Sequence, residues 1–422
     1  MKALSVAIIL LIVSLSGTAA WPAAAPKLFS CGPGVTVHNP AAPPDPIEAA
    51  FTRRSYVSGD RAIIDVTTKA RQFAIQILQV GPNQARPHNA DSWTGRPVGP
   101  TRSVTLHGHK GQISVRIGRW HSGLYFARLT ATGGRIGYAP FILTERLPET
   151  TGIAIVVPTN TWQAYNFRDT NGDGDGDTWY ANPNTRVVDL DRPFLHRGLP
   201  TQEAGGFFRW ASRSNIKADY LSDDDLDRFS ATDLSRDFHL IVFAGHEEYV
   251  TAHVFDALTR YRDQGGNLMF LSADNLNYRI THTGHKIACD GKFRAYGQQE
   301  ASLVGVQYVD WNHRAYRNRP YTVTGARAAP WFVAGTALRN GDRFGNGYGT
   351  EVDARSAASP PSTIVLARIP DIFGPGVSAE MTYYQTRTGA RVFAAGAMNF
   401  QRPQTPQTEK LLVNVWQRLT KG

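Results

Sequence analysis

The residues best suited to chemistry lie in two polar stretches, each directly after a short apolar run. The first is Asn160-Thr161-Trp162-Gln163-Ala164-Tyr165-Asn166, which follows the run at 153–157 and continues into a loop rich in Asp and Gly. The second is Gly245-His246-Glu247-Glu248-Tyr249, which follows the run at 240–244. Sites in open α/β sheets form beyond the carboxyl ends of the strands. The sequence therefore predicts that Tyr165 faces the histidine and the acids of the second stretch.

The Asp/Gly loop has the spacing of a calcium-binding loop. Gly174 stands at position 6, where a sharp turn is needed, and the oxygen donors stand at positions 1, 3, 5, 7 and 9. These donors are Asp169, Asn171, Asp173, Asp175 and Asp177, of which Asp175 would bind through its backbone carbonyl. Tyr180 stands at position 12 in place of the usual glutamate, so Asp189 or Asp191 would complete the ligand sphere. The loop is predicted to bind Ca²⁺ and stiffen the chain beside Tyr165. The alternative is a solvated turn.

The second stretch has two interpretations. His246 and Glu248 can enter a site, or His246 and Glu247 can cap the following helix while Glu248 is solvated. The chain contains no Gly-x-Ser-x-Gly elbow, and neither cysteine, Cys31 or Cys289, follows a buried strand. A serine or cysteine hydrolase is therefore disfavoured.

Elements that can position these stretches occur from residue 148 onwards. Short apolar runs alternate with amphipathic stretches, which predicts a mostly parallel sheet with helices on both sides. Strands are predicted at 153–157, 218–221, 240–244, 267–272, 362–367, 380–384 and 391–395, and helices at 206–214, 251–263 and 409–419. Residues 286–350 have weak periodicity and are predicted to form an irregular excursion or a small β-rich insertion.

The preceding part of the chain is predicted to be all-β. Residues 44–147 alternate β-rich runs, at 61–66, 73–78, 113–117 and 124–129, with turn residues, which is typical of an Ig-like β-sandwich. Residues 21–43 form an Ala/Pro-rich leader. Residues 1–20 have the apolar run and small residues of a secretory signal peptide. We therefore expect a secreted or periplasmic protein with no membrane span after signal cleavage.

Charge and cysteine content limit the classes of partner. The chain has 45 basic and 35 acidic side chains, a net charge of +10, and signal cleavage removes only Lys2, which leaves +9. The basic residues are scattered along the chain, so nucleic acid is not expected as a ligand. In an oxidising compartment Cys31 and Cys289 can form one disulfide, although two unrelated thiols would look the same in the sequence.

Four stretches, taken in this order, resemble one known family. They are Ser122-Gly123-Leu124-Tyr125-Phe126-Ala127-Arg128-Leu129, the two polar stretches above, and Gly265-Gly266-Asn267-Leu268-Met269-Phe270-Leu271-Ser272-Ala273-Asp274-Asn275. From about residue 110 to its end the chain resembles the large (β) subunit of N,N-dimethylformamidase and its relatives. The resemblance implies a β-sandwich followed by a class I glutamine amidotransferase-like, flavodoxin-like α/β domain without the catalytic cysteine, here residues 148–422. It also implies a mononuclear iron held by two tyrosines and one glutamate.

Carried over by motif, the resemblance assigns roles to individual residues. The implied ligands of Fe³⁺ are Tyr125, Tyr165 and Glu248. His246 and Asn275 resemble family positions around the iron and the substrate, and Glu380 resembles a later glutamate that could act as general base. Two phenolates and a carboxylate are hard oxygen donors suited to a ferric ion, which can polarise an amide carbonyl and lower the pKa of a bound water. Taken alone, Tyr125 would be an ordinary core residue of a sandwich strand.

The chain departs from the family pattern in two places, which leaves the substrate open. One is the inserted loop at 169–177, and the other is Glu247, where the family usually has a proline. Two functions are therefore in view. The first is an exported iron-dependent hydrolase of a small amide or related C–N bond, acting alone, as a homo-oligomer or with a small accessory subunit. The second is a non-catalytic exported calcium-binding protein that binds a glycan, peptide or envelope partner through late aromatic residues, namely Tyr296, Trp311, Tyr316, Tyr321 and Trp331.

Overall fold

The computed structural model describes residues 31, 46–81, 95–145, 151–182, 185–194, 205–312, 319–402 and 405–421. Within these ranges the protein is mostly β-structure, with several sheets and few helices. The predicted signal peptide, the leader apart from Cys31, and the predicted boundary at 147–148 lie outside the described residues. No helix in the described ranges is both long enough and apolar enough to cross a membrane.

Two sheets in the first part of the chain share one apolar core. Their strands are β1 (Ile47–Phe51), β2 (Ser55–Val57), β3 (Arg61–Thr68), β4 (Gln72–Gln79), β5 (Arg96–Pro97), β6 (Arg102–Thr105), β7 (Lys110–Arg116), β8 (Gly123–Ala131) and β9 (Arg135–Thr144). One sheet has the order β1-β3-β7, and the other has the order β2-β9-β8-β4-β5, with β6 also paired to β4. Alternate residues of β3, such as Ala62, Ile64 and Val66, are buried, as the period of two in the sequence predicts. The Ig-like topology itself stays a prediction.

Strand β8 is buried on both faces because a second body of the protein covers the outer side of its sheet. Tyr125, Ala127 and Leu129 point into the core between the two sheets. Leu124 and Phe126 point the other way, into the core of the α/β part. Successive side chains of a strand point to opposite faces, so one strand contributes to two cores.

The second part of the chain contains fifteen strands and seven α-helices among its described residues. The strands are β10 (Ile153–Val157), β11 (Val187–Asp189), β12 (Asp219–Ser222), β13 (Leu240–Phe243), β14 (Tyr249–Thr251), β15 (Asn267–Phe270), β16 (Tyr278–Thr283), β17 (Lys286–Lys292), β18 (Gln307–Trp311), β19 (Arg319–Val323), β20 (Arg343–Tyr348), β21 (Glu351–Ala354), β22 (Ile364–Ile369), β23 (Ala379–Gln385) and β24 (Arg391–Ala394). The helices are α1 (Thr159–Ala164), α2 (Gly205–Arg213), α3 (Asp223–Leu226), α4 (Ala231–Asp237), α5 (Ala252–Asp263), α6 (Glu300–Val304) and α7 (Pro406–Thr420).

A nine-stranded sheet organises this part, in the order β12-β10-β13-β15-β24-β23-β22-β19-β20. The strands from β12 to β24 are parallel, and those from β24 to β20 are antiparallel. Smaller sheets have the orders β11-β17-β16-β14 and β18-β21. The central parallel strands are buried along their whole length, which explains their continuous apolar runs in the sequence.

The sequence predicted the parallel strands well and the late region less well. Strand β10 has the predicted bounds, and the predicted helix at 251–263 is α5, whose N-cap is Thr251. The stretch at 286–350, predicted to be an irregular excursion or a small β-rich insertion, is β-rich and supplies β19 and β20 to the main sheet. The short helix α1 was not predicted, because Pro158 and Asn160 suggest a loop.

The two cysteines form a disulfide that ties the start of the chain to β17. The Cα atoms of Cys31 and Cys289 are 6.0 Å apart, a normal separation for a disulfide. Cys31 packs in a cluster with Tyr249, Tyr278 and Ile280, and its carbonyl accepts a hydrogen bond from the Tyr249 hydroxyl at 3.4 Å. Of the two alternatives that the sequence left open, a disulfide or two unrelated thiols, the structure contains the disulfide.

Replacing Cys289 by Ser should destabilise the protein by about 5 kcal/mol, because the bond joins residues 258 positions apart and closes a loop that the unfolded chain would otherwise leave open. The measurement is urea unfolding of the oxidised protein. Cys31→Ser serves as the control, since removing either partner removes the same bond and should give the same loss. Equal midpoints for wild type and both variants would contradict a stabilising role.

Candidate metal centre

The two polar stretches predicted from the sequence meet beyond the carboxyl ends of three neighbouring parallel strands. Strand β10 leads into α1 and Tyr165, β13 leads into His246 and Glu248, and β15 leads into Asp274. Strand β21 begins at the same place with Glu351. This is the sheet edge where α/β folds place their sites.

The polar residues of α1 fix that helix to its surroundings. The Asp223 carboxylate accepts hydrogen bonds from the backbone N–H of Asn160, at 2.6 Å, and from the Thr159 hydroxyl, at 3.1 Å. The Thr161 hydroxyl in turn accepts a hydrogen bond from the backbone N–H of Glu248, at 3.1 Å. Helix α1 is therefore locked directly to the loop that carries the glutamate.

A buried arginine fixes the chain on either side of Tyr165. The Arg192 guanidinium donates to the carbonyl of Gln163 at 2.6 Å and to the carbonyl of Asn166 at 3.1 Å. The side chain of Asn166 also donates to the side chain of Gln163, at 2.9 Å. These bonds hold the tyrosine in one place, as a binding group requires.

Two tyrosines and one glutamate form the centre of the site. The Tyr165 hydroxyl oxygen lies 2.9 Å from Glu248 Oε2, and the Tyr180 hydroxyl oxygen lies 2.9 Å from Glu248 Oε1. The two hydroxyl oxygens are 2.8 Å apart, and the rings stack with centroids 4.2 Å apart. The Tyr249 hydroxyl follows at 2.5 Å from that of Tyr180. The hydroxyls of Tyr165 and Tyr180 therefore converge on the two oxygens of one carboxylate.

The environment of these groups opposes negative charge. Burial, then the neighbouring Asp274, raises the pKa of Glu248 to about 8, against the lowering effects of His246 and of the two tyrosine hydroxyls. Burial and the charge of Glu248 raise the pKa of Tyr165 and Tyr180 well above the usual value. A strongly positive ion is therefore needed to hold the two tyrosines as phenolates beside a carboxylate.

A second group of ionisable side chains adjoins the first. His246 Nε2 lies 3.4 Å from Glu248 Oε2, 3.2 Å from Glu351 Oε2 and 3.8 Å from Asp274 Oδ2. His246 is almost completely buried, and its ring lies 5.6 Å from that of Tyr165. We call His246, Asp274 and Glu351 the histidine cluster.

Asp274 is placed by its backbone. It has a φ of 53°, in the left-handed region, which costs a residue other than glycine on the order of 1 kcal/mol. Its N–H donates to Asp353 Oδ1 at 2.8 Å. Strained backbone held by a buried partner is found mostly at functional sites.

The donor set of the first group fits a small, hard, highly charged cation. Its oxygens are phenol and carboxylate oxygens, which prefer such ions over soft ones. Oxygens held at about 2.0–2.1 Å around an octahedral ion are about 2.9 Å from their neighbours. The hydroxyls of Tyr165 and Tyr180 each donate a hydrogen bond to Glu248 over 2.9 Å, a separation that an ion in place of the two protons would leave nearly unchanged.

A comparison with protein families identifies the family of this chain. Residues 99–403 match the family described as N,N-dimethylformamidase beta subunit-like, C-terminal. The chain belongs to this family. The resemblance noted from the sequence is thereby confirmed, and the family description supports a hydrolase of the dimethylformamidase type. No curated protein matches this chain in sequence.

The similarities to solved structures are weak. A superoxide reductase (neelaredoxin) from Ignicoccus hospitalis aligns at 9% identity and TM-score 0.16, over 24% of this chain and 82% of that one. The sulfur carrier protein SoxY from Chlorobium limicola f thiosulfatophilum aligns at 16% identity and TM-score 0.15, over 24% and 80%. A Paenibacillus sp. cycloisomaltooligosaccharide glucanotransferase aligns at 8% identity and TM-score 0.21, over 84% and 69%. None of these carries an argument about fold or function.

Tyr125 does not join the other two predicted ligands. It points into the core between the sandwich sheets, where its ring stacks on Trp120 and Phe141 with centroids 5.5 Å away in both cases. Its hydroxyl donates to the carbonyl of His121 at 2.7 Å. The alternation of β8 turns Tyr125 away from the α/β part, and Tyr180 supplies the second phenol beside Tyr165.

Glu380 is bound in a way that opposes its predicted role as general base, whereas Asn275 lies among the loops of the site. The Glu380 carboxylate binds Arg355, at 3.0 Å, and Arg368. Burial raises the pKa of Glu380, but the hydrogen bonds from the two arginines outweigh it and leave the pKa below its usual value, so this group is a poor proton acceptor. Asn275 accepts from the Glu247 N–H at 3.4 Å and donates to the Ser272 carbonyl at 3.1 Å, so it joins two site loops.

The Asp/Gly loop is exposed and bonds to itself. The Asp169 carboxylate accepts from the N–H groups of Gly172 and Gly174, at 2.6 and 3.0 Å, and the Asp177 carboxylate accepts from the Thr170 N–H at 2.6 Å. Within the described residues, only the histidine cluster brings three His, Cys, Asp or Glu ligand atoms within 4.8 Å of one another. Calcium binding by the loop stays a prediction.

The aromatic residues of the alternative function do not form one exposed surface. Tyr321 is fully buried and donates to the Ala395 carbonyl at 2.7 Å. Trp331 packs on Tyr383, with ring centroids 5.0 Å apart, and Tyr296 is 43% exposed. Tyr316 lies outside the described residues.

Tyr180, Asp274 and Glu351 were not predicted as site residues from the sequence. The sequence did contain a hint for Tyr180, because this tyrosine occupies the final ligand position of the Asp/Gly loop, where a glutamate is usual. Asp274 directly precedes the predicted Asn275. Glu351 begins a strand in a region of weak periodicity and carried no signal.

Proposed function

We propose that this protein is an exported hydrolase of a small amide or related C–N bond, and that Tyr165, Tyr180 and Glu248 hold a ferric ion. The observation that carries the proposal is the convergence of two tyrosine hydroxyls on one buried carboxylate, with all three contacts between 2.8 and 2.9 Å. Membership of a dimethylformamidase-like family supports the amide class of substrate. The finer features of the family fold, the Ig-like sandwich and the amidotransferase-like domain, belong to the same proposal.

The residues around the proposed ion divide the work of hydrolysis. When bound, a ferric ion polarises a carbonyl and lowers the pKa of a bound water. Tyr165, Tyr180 and Glu248 fix its place, and Thr161 and Arg192 hold the backbone that carries the ligands. In the adjoining histidine cluster, His246 Nε2 and Glu351 Oε2 can accept the proton that such a water releases. Glu380 takes no part, because its carboxylate is bound to two arginines.

Two further parts of the proposal are a calcium ion in the Asp/Gly loop and export of the protein. A Ca²⁺ bound by the Asp/Gly loop would stiffen the segment that leads to Tyr180, three residues after Asp177. The disulfide between Cys31 and Cys289 supports export, because such bonds persist in oxidising compartments. The loop proposal fails if EDTA leaves thermal stability unchanged and elemental analysis of the purified protein finds no calcium.

The test of the iron proposal is elemental analysis combined with the visible spectrum. We expect about one iron per chain and a phenolate-to-iron charge-transfer band. Tyr165→Phe and Tyr180→Phe should each weaken and shift the band, because each removes one of its two phenolates. Tyr125→Phe is the matched control and should keep it. A band that is lost in Tyr125→Phe and kept in Tyr180→Phe would contradict this ligand assignment, and absence of iron after iron supplementation would contradict the function.

A further inference from the structure

An ion pair connects the sandwich to the segment of the chain that carries the two tyrosines. The Arg168 guanidinium donates two hydrogen bonds to the Glu48 carboxylate, from Nε to Oε1 at 2.5 Å and from Nη2 to Oε2 at 3.0 Å. Glu48 belongs to β1, and Arg168 lies three residues after Tyr165. Two parallel bonds between a guanidinium and a carboxylate fix orientation as well as distance. Glu48 therefore holds the Arg168 side chain in one place.

The position of Glu48 in β1 directs its carboxylate out of the sandwich core. Ile47, Ala49 and Phe51 pack in the core between the two sandwich sheets. Because side chains alternate along a strand, Glu48 points to the opposite face. Its side chain is nevertheless only 8% exposed, and a buried carboxylate is costly unless it is paired and hydrogen-bonded. Arg168 meets this need from the other part of the chain.

The backbone of Arg168 forms the base of the Asp/Gly loop. Its carbonyl accepts hydrogen bonds from the Asp177 N–H, at 3.1 Å, and from Arg192 Nη1, at 3.2 Å. Tyr165 lies three residues before Arg168, and Tyr180 lies three residues after Asp177. The base of the loop is thus equally far along the chain from both tyrosines, whose rings stack with centroids 4.2 Å apart. Holding the base in place holds both rings.

We propose that Glu48 is a positioning residue for the metal centre, which sets the places of Tyr165 and Tyr180 through Arg168. This proposal rests on the proposed function, because the two tyrosines are proposed ligands of the ferric ion. It keeps that centre at a single ion and gives the sandwich a part in holding its ligands. Glu48 also lies before residues 99–403, the range that matches the family.

The experiment measures the iron affinity of Glu48→Gln in the full chain, by competition with nitrilotriacetate followed in the phenolate-to-iron band. Glutamine keeps the size of the side chain but offers Arg168 one neutral acceptor oxygen in place of a carboxylate. Loss of a group that supports a metal ligand costs about 10–100-fold in affinity, so the Kd for iron should rise at least about 10-fold. Asp60→Asn is the control and should keep the wild-type Kd, because Asp60 also binds an arginine, Arg53 at 2.8 Å, but inside the sandwich.

Arg168→Gln breaks the same ion pair from the other side, and it tests the proposal even if Glu48→Gln fails to fold. It should raise the Kd for iron by a similar factor. The double variant should show no larger increase than the more affected single variant, because all three lack the same pair. Increases that multiply in the double variant would overturn the proposal, since each residue would then act separately.

Hydrogen–deuterium exchange of residues 165–180 separates this proposal from the proposed function, because it reports local opening with or without iron. Faster exchange in Glu48→Gln together with a higher Kd for iron supports both. An iron-loaded Glu48→Gln protein with an unchanged Kd overturns the positioning role and leaves the ferric centre intact. A wild-type chain that takes up no iron contradicts the proposed function. Faster exchange in Glu48→Gln but not in Asp60→Asn would then still support the part of Glu48 in holding the two tyrosines.

Discussion

Glu248→Gln should abolish iron binding and amide hydrolysis while leaving the protein folded. Glutamine keeps the size of the side chain but removes its charge. It also turns an NH₂ group towards one of the two hydroxyls that now lie 2.9 Å from a carboxylate oxygen. Loss of groups that merely support a metal ligand costs about 10–100-fold in affinity or activity. We therefore expect a loss of more than about 100-fold in kcat/KM, with iron content close to zero by elemental analysis.

Glu247→Gln is the matched control for that experiment. Glu247 is the adjacent residue and is also fully buried, but it faces Asp223 instead of the tyrosines. Burial and the charge of Asp223 raise the pKa of Glu247 well above its usual value, so the folded protein already favours a neutral side chain there. The control variant should keep its iron and its charge-transfer band. Retention of both by Glu248→Gln would contradict the ligand role of Glu248.

The part of the site that the sequence predicted lies at the ends of continuous apolar runs. Strands β10 and β13 are buried on both faces, so their runs are unmistakable, and the polar residues that follow must meet at one sheet edge. The ends of these runs predicted that Tyr165 faces His246 and the acids, and the family resemblance assigned the ligand role to Glu248. The contact of 2.9 Å between Tyr165 and Glu248 brings those two side chains together.

The part that the sequence did not predict depends on contacts between distant segments. Tyr125 is in a strand that is buried on both faces, and no local pattern says which face carries a ligand. Glu351 reaches the site because β21 starts there, after a stretch that has no clear periodicity. Glu380 resembles a later family glutamate that could act as general base, but Arg355 and Arg368 approach from other segments and bind it.

Gly396→Ala should destabilise the protein by more than about 4 kcal/mol or prevent folding, because two separate costs act together. Gly396 has a φ of 70°, which strains any other residue. An added Cβ would also lie 2.1 Å from the carbonyl oxygen of Glu380. The Gly396 carbonyl accepts from the Asp353 N–H at 2.9 Å, and Asp353 holds Asp274, so displacement at this position reaches the site.

Gly389→Ala separates strain from steric overlap. Gly389 lies at the other end of β24, in the turn from β23, and has a φ of 96°, but a Cβ there would meet nothing within 4 Å. It should therefore show only the backbone strain, about 1 kcal/mol, in the midpoint of urea unfolding. Similar losses in the two variants would mean that the strands around Gly396 can move apart at little cost. Asp353 would then be free to shift with them, and the fixed position of Asp274 beside His246 would lose its structural support.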